Sequence, residues 1–181
     1  MSTNLVEVLQ GIKDHRKARG QRYPLWLLLL TAILAVLSGA RSLRGLERFS
    51  QRHFLPLCHL LDVSVSTQRA PADSTFRLVF EQVDLQAVQW ALYVWSGQDS
   101  EIERLICDGK AARGSMTSLG GKVQNFVSLI SAYSPQAGLV VAQESYPYRD
   151  DCEQNALQRL LKTLNLEGVL IQADALHTQK N

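Results

Sequence analysis

Two aspartates at the ends of hydrophobic runs are the residues best suited to chemistry. Asp108 lies in Ile106-Cys107-Asp108-Gly109-Lys110, and Asp174 in Leu170-Ile171-Gln172-Ala173-Asp174-Ala175. Hard divalent cations prefer oxygen ligands, and strands hold such ligands at fixed spacing, so a pair of strand-end carboxylates has the makings of a metal site. Either aspartate alone is more readily a turn former or helix cap, above all Asp108 before Gly109. The pair with its flanking residues carries the reading. Lys110 and Arg113, just after the first aspartate, could bind phosphate beside the metal or lie on a solvated loop, and their types favour neither. His177, three residues after Asp174, reads more simply as an exposed polar side chain than as a ligand.

The elements that must position these carboxylates follow from periodicity. From Glu103 onward β-rich runs replace amphipathic helices: Arg104 to Asp108, Val123 to Tyr133 and Leu139 to Gln143 read as strands. The last two are joined by a turn through Ser134-Pro135-Gln136-Ala137-Gly138. A helix from about Cys152 to Leu164, burying Leu157, Leu160, Leu161 and Leu164, precedes a fourth strand from Gly168 to Asp174. Three strands, a helix and a returning strand allow the last strand to lie parallel beside the first through a right-handed crossover. Asp108 and Asp174 would then share one sheet edge. That is the ribonuclease-H-like arrangement, in which two metal ions about 3.5 to 4 Å apart serve in-line displacement at phosphorus.

Residues 1–100 read as helices. Leu5, Val8, Leu9 and Ile12 recur at helical spacing, Pro24 suits the first turn of an apolar helix ending near Gly39, and Ser42 can cap the next. Pro71 and Asp73-Ser74 open a segment with Phe76, Val79, Phe80 and Val83 inward, and a last helix runs from Leu85 to about Trp95. Trp26, Trp90 and Trp95 are expected in the helical core. The apolar run from Leu25 to Ala40 holds 16 uncharged residues. That falls short of the roughly 20 a bilayer core requires, so a buried helix is expected and no membrane anchor.

Charge is divided unevenly. Residues 1–52 hold nine Lys/Arg against three Asp/Glu, while the rest of the chain holds ten against fourteen. A basic front half fits an anionic partner. Arg41, Arg44, Arg48 and Arg52 fall within an arc of about 80° at 3.6 residues per turn, a stripe that could meet DNA phosphates or form a solvated face. Lys13, Arg16, Lys17, Arg19 and Arg22 lie nearby in sequence. Cys58, Cys107 and Cys152 have no zinc-type spacing and are odd in number, which fits a reducing cytoplasm rather than a disulfide framework.

The flanks of the aspartates are specific. Asp108-Gly109-Lys110 with Arg113-Gly114, Val127-Ser128-Leu129-Ile130-Ser131-Ala132 and Asp174-Ala175-Leu176-His177-Thr178-Gln179 resemble the bacterial insertion-sequence transposases with a DDE active site. Asp14-His15-Arg16, Gly20-Gln21-Arg22-Tyr23-Pro24-Leu25, Ala35-Val36-Leu37-Ser38-Gly39-Ala40 and Pro71-Ala72-Asp73-Ser74-Thr75-Phe76 resemble that group's associated N-terminal domain and the H-repeat-associated proteins.

The resemblance spans essentially the whole chain. It implies a helical N-terminal domain over residues 1–100 and an incomplete ribonuclease-H-like mixed sheet over 101–181, an α+β or α/β organisation. It further implies Asp108 and Asp174 as the first two catalytic acids, Mg²⁺ or Mn²⁺ as cofactor, and insertion-sequence ends of DNA as partner. Arg41, Arg44, Arg48, Arg52, Lys110 and Arg113 are then candidate DNA contacts. The sequence departs from the family at Tyr148-Arg149-Asp150-Asp151-Cys152-Glu153, where Lys-x-Asn-Glu is common and Glu153 keeps the Glu.

Family members continue past the second aspartate to a catalytic Glu, so the expectation is a truncated transposase, inactive alone, with an open sheet edge able to pair with another copy. A noncatalytic DNA-binding or regulatory module is the other function these residues allow.

Overall fold

The computed structural model describes residues 4–96, 102–112, 117–119, 123–147, 151–164 and 166–174. By its internal contacts the chain divides into two units, Met1–Gly97 and Gln98–Asn181.

The first unit is helical: α1 (Leu5–Gln10), α2 (Leu25–Leu37), α3 (Leu43–Leu60), α4 (Asp73–Gln82) and α5 (Leu85–Trp95). Its centre is α2, apolar on all sides because neighbours surround it. Leu25, Leu27 to Leu30, Thr31, Ala32 and Ala35 are buried there, and the Thr31 hydroxyl donates back to the Leu27 carbonyl at 2.7 Å. No helix among the described residues is long and apolar enough to cross a membrane. Leu9, Phe54, Phe76 and Val79 close around α2, and the Tyr23 ring meets Phe54 edge-on with centroids 5.3 Å apart.

Helix starts follow side-chain capping. Asn4 accepts from the Val6 amide, Asp84 from Ala87, and Ser42 from Gly45, the cap expected of it from the sequence.

Some inward assignments in this unit are corrected. Trp90 is 66% exposed and Trp95 42% exposed, because α5 buries the face carrying Ala91 and turns Trp90 outward, stacked on Tyr93. Phe80 is largely exposed against a buried Phe76, since α4 buries only the side bearing Phe76 and Val79.

The second unit is a mixed four-stranded sheet with one described helix. Its strands are β1 (Arg104–Ala111), β4 (Val127–Ser134), β5 (Leu139–Pro147) and β6 (Leu170–Gln172), in spatial order β5-β4-β1-β6. A separate two-stranded ribbon joins β2 (Thr117–Leu119) and β3 (Val123–Asn125). β1 pairs with β4 antiparallel and with β6 parallel, the arrangement that the strand-helix-strand order leads one to expect.

Helix α6 (Glu153–Lys162) lies against β4 and β5, burying Ala156, Leu157 and Leu160; Leu105, Cys107, Ile130 and Ala132 are buried alternately along the strands. Arg159 ties the helix to the sheet, its Nε donating to Glu144 at 3.0 Å and its Nη2 meeting Asp151 at 2.7 Å.

Several strand assignments change: the strand expected to end in Asp174 spans only Leu170–Gln172, where its pairing with β1 ends, and β5 runs past Gln143 to Pro147 because its pairing with β4 continues to Val127. The run expected as one strand from Val123 to Tyr133 is split at Phe126 into β3 and β4, because its first residues pair with β2 and the remainder with β1 and β5. Asp108 does not end its strand: β1 continues to Ala111, since Lys110 and Ala111 still find partners in Leu129 and Ser128 of β4. Gly120 and Gly121, expected in a loop, lie outside the described residues.

Candidate functional site

The parallel pairing of β1 with β6 sets the geometry of the two aspartates. Arg104 pairs with Leu170, Leu105 with Ile171 and Ile106 with Gln172, a constant offset of 66 residues. The same offset separates Asp108 from Asp174, which lies two residues past the end of β6, so the register carried beyond that strand sets the two residues level. Adjacent strands lie about 4.8 Å apart, and level residues of a parallel pair point to the same face.

That face is the one away from α6. Leu105 and Cys107 alternate inward, Gly109 lies beneath the Glu153 carboxylate of α6, and Asp108 therefore points the other way, with Ile106 and Lys110. Asp108 and Asp174 are both exposed.

The site extends across the sheet. Asp108 pairs with Ser131 of β4, and Ser131 pairs with Gln143 of β5, whose Nε2 donates to the Ser131 hydroxyl at 2.9 Å. Gln143, Ser131 and Asp108 thus form one polar row over β5, β4 and β1, and Asp174 continues it just past the end of β6. Ser131 and Gln143 have no signature in the linear sequence, since only the strand register brings them beside Asp108. Lys110 Nζ lies 3.7 Å from Asp108 Oδ2, and both side chains are well exposed. Such an exposed pair contributes little stability, so the ammonium can turn to an incoming anion at small cost. Arg113 and His177 lie outside the described residues.

The opposite face fixes β1. Tyr146 hydrogen-bonds both Ser128 and Glu153, and burial first, then the neighbouring Glu153 carboxylate, push its hydroxyl above the ordinary phenol range. The Glu153 carboxylate packs directly over the α-carbon of Gly109, where any side chain would collide with it. Glu153 is therefore on the reverse side of the strand from Asp108, and among the described residues no group of three or more His, Cys, Asp or Glu is placed to hold a metal ion. A pair of carboxylates still suits Mg²⁺, which commonly takes one or two from the protein and fills its remaining positions with water and substrate phosphate.

The arginine stripe belongs to the first unit. Arg44, Arg48 and Arg52 project from α3, exposed, at intervals of four residues. Arg41 is also exposed but precedes the Ser42 cap, so it is not part of the helix; Ser42 takes an extended backbone to begin α3 and leaves Arg41 outside the first turn. Arg48 and Arg52 border a cleft of about 350 Å³ with Ser38, Gly39, Phe49 and His53. All three cysteines are free, Cys58 and Cys107 buried and Cys152 exposed.

Comparison with known proteins connects both units to one group. Residues 6–96 match the family described as DDE_Tnp_1-associated. The chain is 29% identical over 93% of its length to the "Uncharacterized protein in dhlA 3'region" of Xanthobacter autotrophicus. In Escherichia coli (strain K12) it is 27% identical over 98% of its length to the "H repeat-associated putative transposase YbfD", and 26% identical over 98% to the "H repeat-associated putative transposase YhhI". It spans 57%, 69% and 46% of the lengths of these three relatives. No solved structure matches it.

Proposed function

Because this chain belongs to the DDE_Tnp_1-associated family, of the H-repeat-associated transposase type, we propose that it is part of an insertion-sequence transposase acting on DNA. In this reading Gln98–Asn181 carries part of a ribonuclease-H-like catalytic domain, and Asp108 and Asp174 are two of its metal-binding acids. The single observation that supports it best is the shared 66-residue offset: the parallel register of β1 and β6, carried two residues past the end of β6, sets Asp174 level with Asp108.

The two aspartates would hold Mg²⁺ or Mn²⁺. A metal held there would supply electrostatic stabilisation of the charge that develops during in-line displacement at phosphorus. The chain's own residues do the rest. β1, paired with β6 up to Ile106 and with β4 from there to Ala111, keeps Asp108 from shifting; Lys110 offers a cation to a phosphate next to it; Ser131 and Gln143 extend the polar floor beneath the strand being cut or joined. Arg41, Arg44, Arg48, Arg52 and Arg113 supply sequence-independent contacts to the DNA backbone. In this reading a further carboxylate would complete the acid set with Asp108 and Asp174. A cytoplasmic setting agrees with three free cysteines.

A noncatalytic reading keeps one specific support, because the arginine stripe and the aspartates lie in different units. Duplex binding that persists in Asp108→Ala would accompany either reading; metal binding separates them. Mn²⁺ titration followed by electron paramagnetic resonance should show binding to the chain that falls at least tenfold in Asp108→Asn and in Asp174→Asn. Equal Mn²⁺ binding by the wild type and both variants would refute the proposed metal site.

A further inference from the structure

We propose that a second, basic cleft in the helical unit, separate from the α3 arginine stripe, binds the sugar-phosphate backbone of DNA through Lys17, Arg19 and Arg22. The proposal rests on the reading of the chain as a DNA-acting protein.

The cleft has a volume of about 610 Å³ and lies between the loop preceding α2 and the exposed side of α4. Helix α4 contributes Leu78 and Val79 to its lining, and every titratable side chain that lines it is basic or neutral: the loop contributes His15, Arg16, Lys17, Arg19, Arg22 and Tyr23, and no carboxylate is among the lining residues. That volume exceeds what one inorganic phosphate fills and suits a stretch of polymer backbone.

What makes the loop a site rather than a frayed connection is Arg16. Its side chain is 8% exposed and is spent on structure: Nε donates to Asp14 Oδ1 at 3.0 Å, while Nη2 donates to Asp14 Oδ2 and to the Tyr23 carbonyl, both at 2.8 Å. Gln21 then donates to the Arg16 carbonyl at 2.8 Å, and the Tyr23 hydroxyl donates to the Arg69 carbonyl at 2.9 Å. Asp14, the acidic residue nearest in the loop, is thereby neutralised by Arg16. The loop is closed on itself and anchored to the chain before α4.

Lys17, Arg19 and Arg22 remain. All three are exposed, and none forms an ion pair among the described residues. Holding three like charges around one concavity costs repulsion that a polyanion relieves, and a preorganised loop avoids most of the ordering cost on binding. The same order of residues explains why a linear reading sees only a cluster: Arg16 and Lys17 are adjacent, yet one is a strut and the other a contact.

The test is fluorescence anisotropy with a labelled duplex of arbitrary sequence, titrated with the full chain at several salt concentrations. Each phosphate neutralised contributes about 0.9 to the slope of log K against log salt. The triple variant K17A/R19A/R22A should therefore lose between about two and three from the wild-type slope. The variant R44A/R48A/R52A should lose a separate amount. Single changes K17Q, R19Q and R22Q, each lowering the slope by about one, keep the test decisive if the triple variant unfolds on melting. A wild type that binds duplex with a slope unchanged by any of these loop variants would overturn the cleft and leave the DNA-acting reading standing. A wild type that binds no duplex at low salt would overturn both.

Discussion

The contact between Gly109 and Glu153 yields a prediction with a sign that ordinary propensity gets wrong. Gly109 is a strand residue whose φ is not positive, so alanine fits its backbone. On backbone entropy alone Gly109→Ala should stabilise the chain by about 0.4–1 kcal/mol. A Cβ at this position would, however, lie 2.5 and 2.6 Å from the two Glu153 carboxylate oxygens, well inside contact distance. The carboxylate must swing away, breaking its hydrogen bond with the buried Tyr146 hydroxyl. Hydrogen bonds to charged groups contribute about 1.5–3 kcal/mol, so Gly109→Ala should destabilise by a net of roughly 1–2 kcal/mol. In a Glu153→Ala background the collision is gone, and the same substitution should stabilise by about 0.5 kcal/mol. Urea unfolding of the four proteins of this double-mutant cycle gives the coupling directly, expected at about 1.5–3 kcal/mol. Equal effects of Gly109→Ala in both backgrounds would refute the placement of Glu153 over β1, and with it the account of how the strand carrying Asp108 is held.

Two further outcomes follow from the helical unit. Arg16 beside Asp14 holds that carboxyl below its ordinary value, so its contribution is present above the unfolded carboxylate range and lost as pH falls through the lower folded value. Asp14→Asn should cost roughly 1 kcal/mol at neutral pH, reduced by partial exposure, and the gap between wild-type and variant urea midpoints should close on acidification below about pH 4; a gap independent of pH would contradict the pairing. The Ser50 hydroxyl is fully buried on α3 without a hydrogen-bond partner among the described residues. Ser50→Ala should raise stability by up to about 1 kcal/mol in thermal melts, whereas a loss of stability would show that the hydroxyl is satisfied.

Much of the architecture is carried by local pattern. The apolar run behind Pro24, the Ser42 cap, the turn after Ser134 and the amphipathic α6 are each set by residues within a few positions of one another, and all are found where periodicity puts them. Asp108 and Asp174 were likewise visible, because carboxylates after aliphatic runs are a local signal. Orientation around a helix depends on its neighbours, and Trp90 shows it: an apolar type at helical spacing, yet exposed, because α5 turns the Ala91 face inward.

Local residue order sets the helical and β-rich halves, the two acidic positions and the basic front. Contacts distant along the chain select what stands beside them. The parallel register of β1 and β6 sets Asp108 level with Asp174; the register of β4 and β5 adds Ser131 and Gln143 to the row; and the packing of α6 sends Glu153 to the reverse face of the strand. They also separate Arg16, consumed by Asp14 and the Tyr23 carbonyl, from the exposed cations next to it. The physical reason is the same in each case: a residue type states which interactions a side chain can make, while strand register and helix packing, set by contacts distant in sequence, select the one it does make.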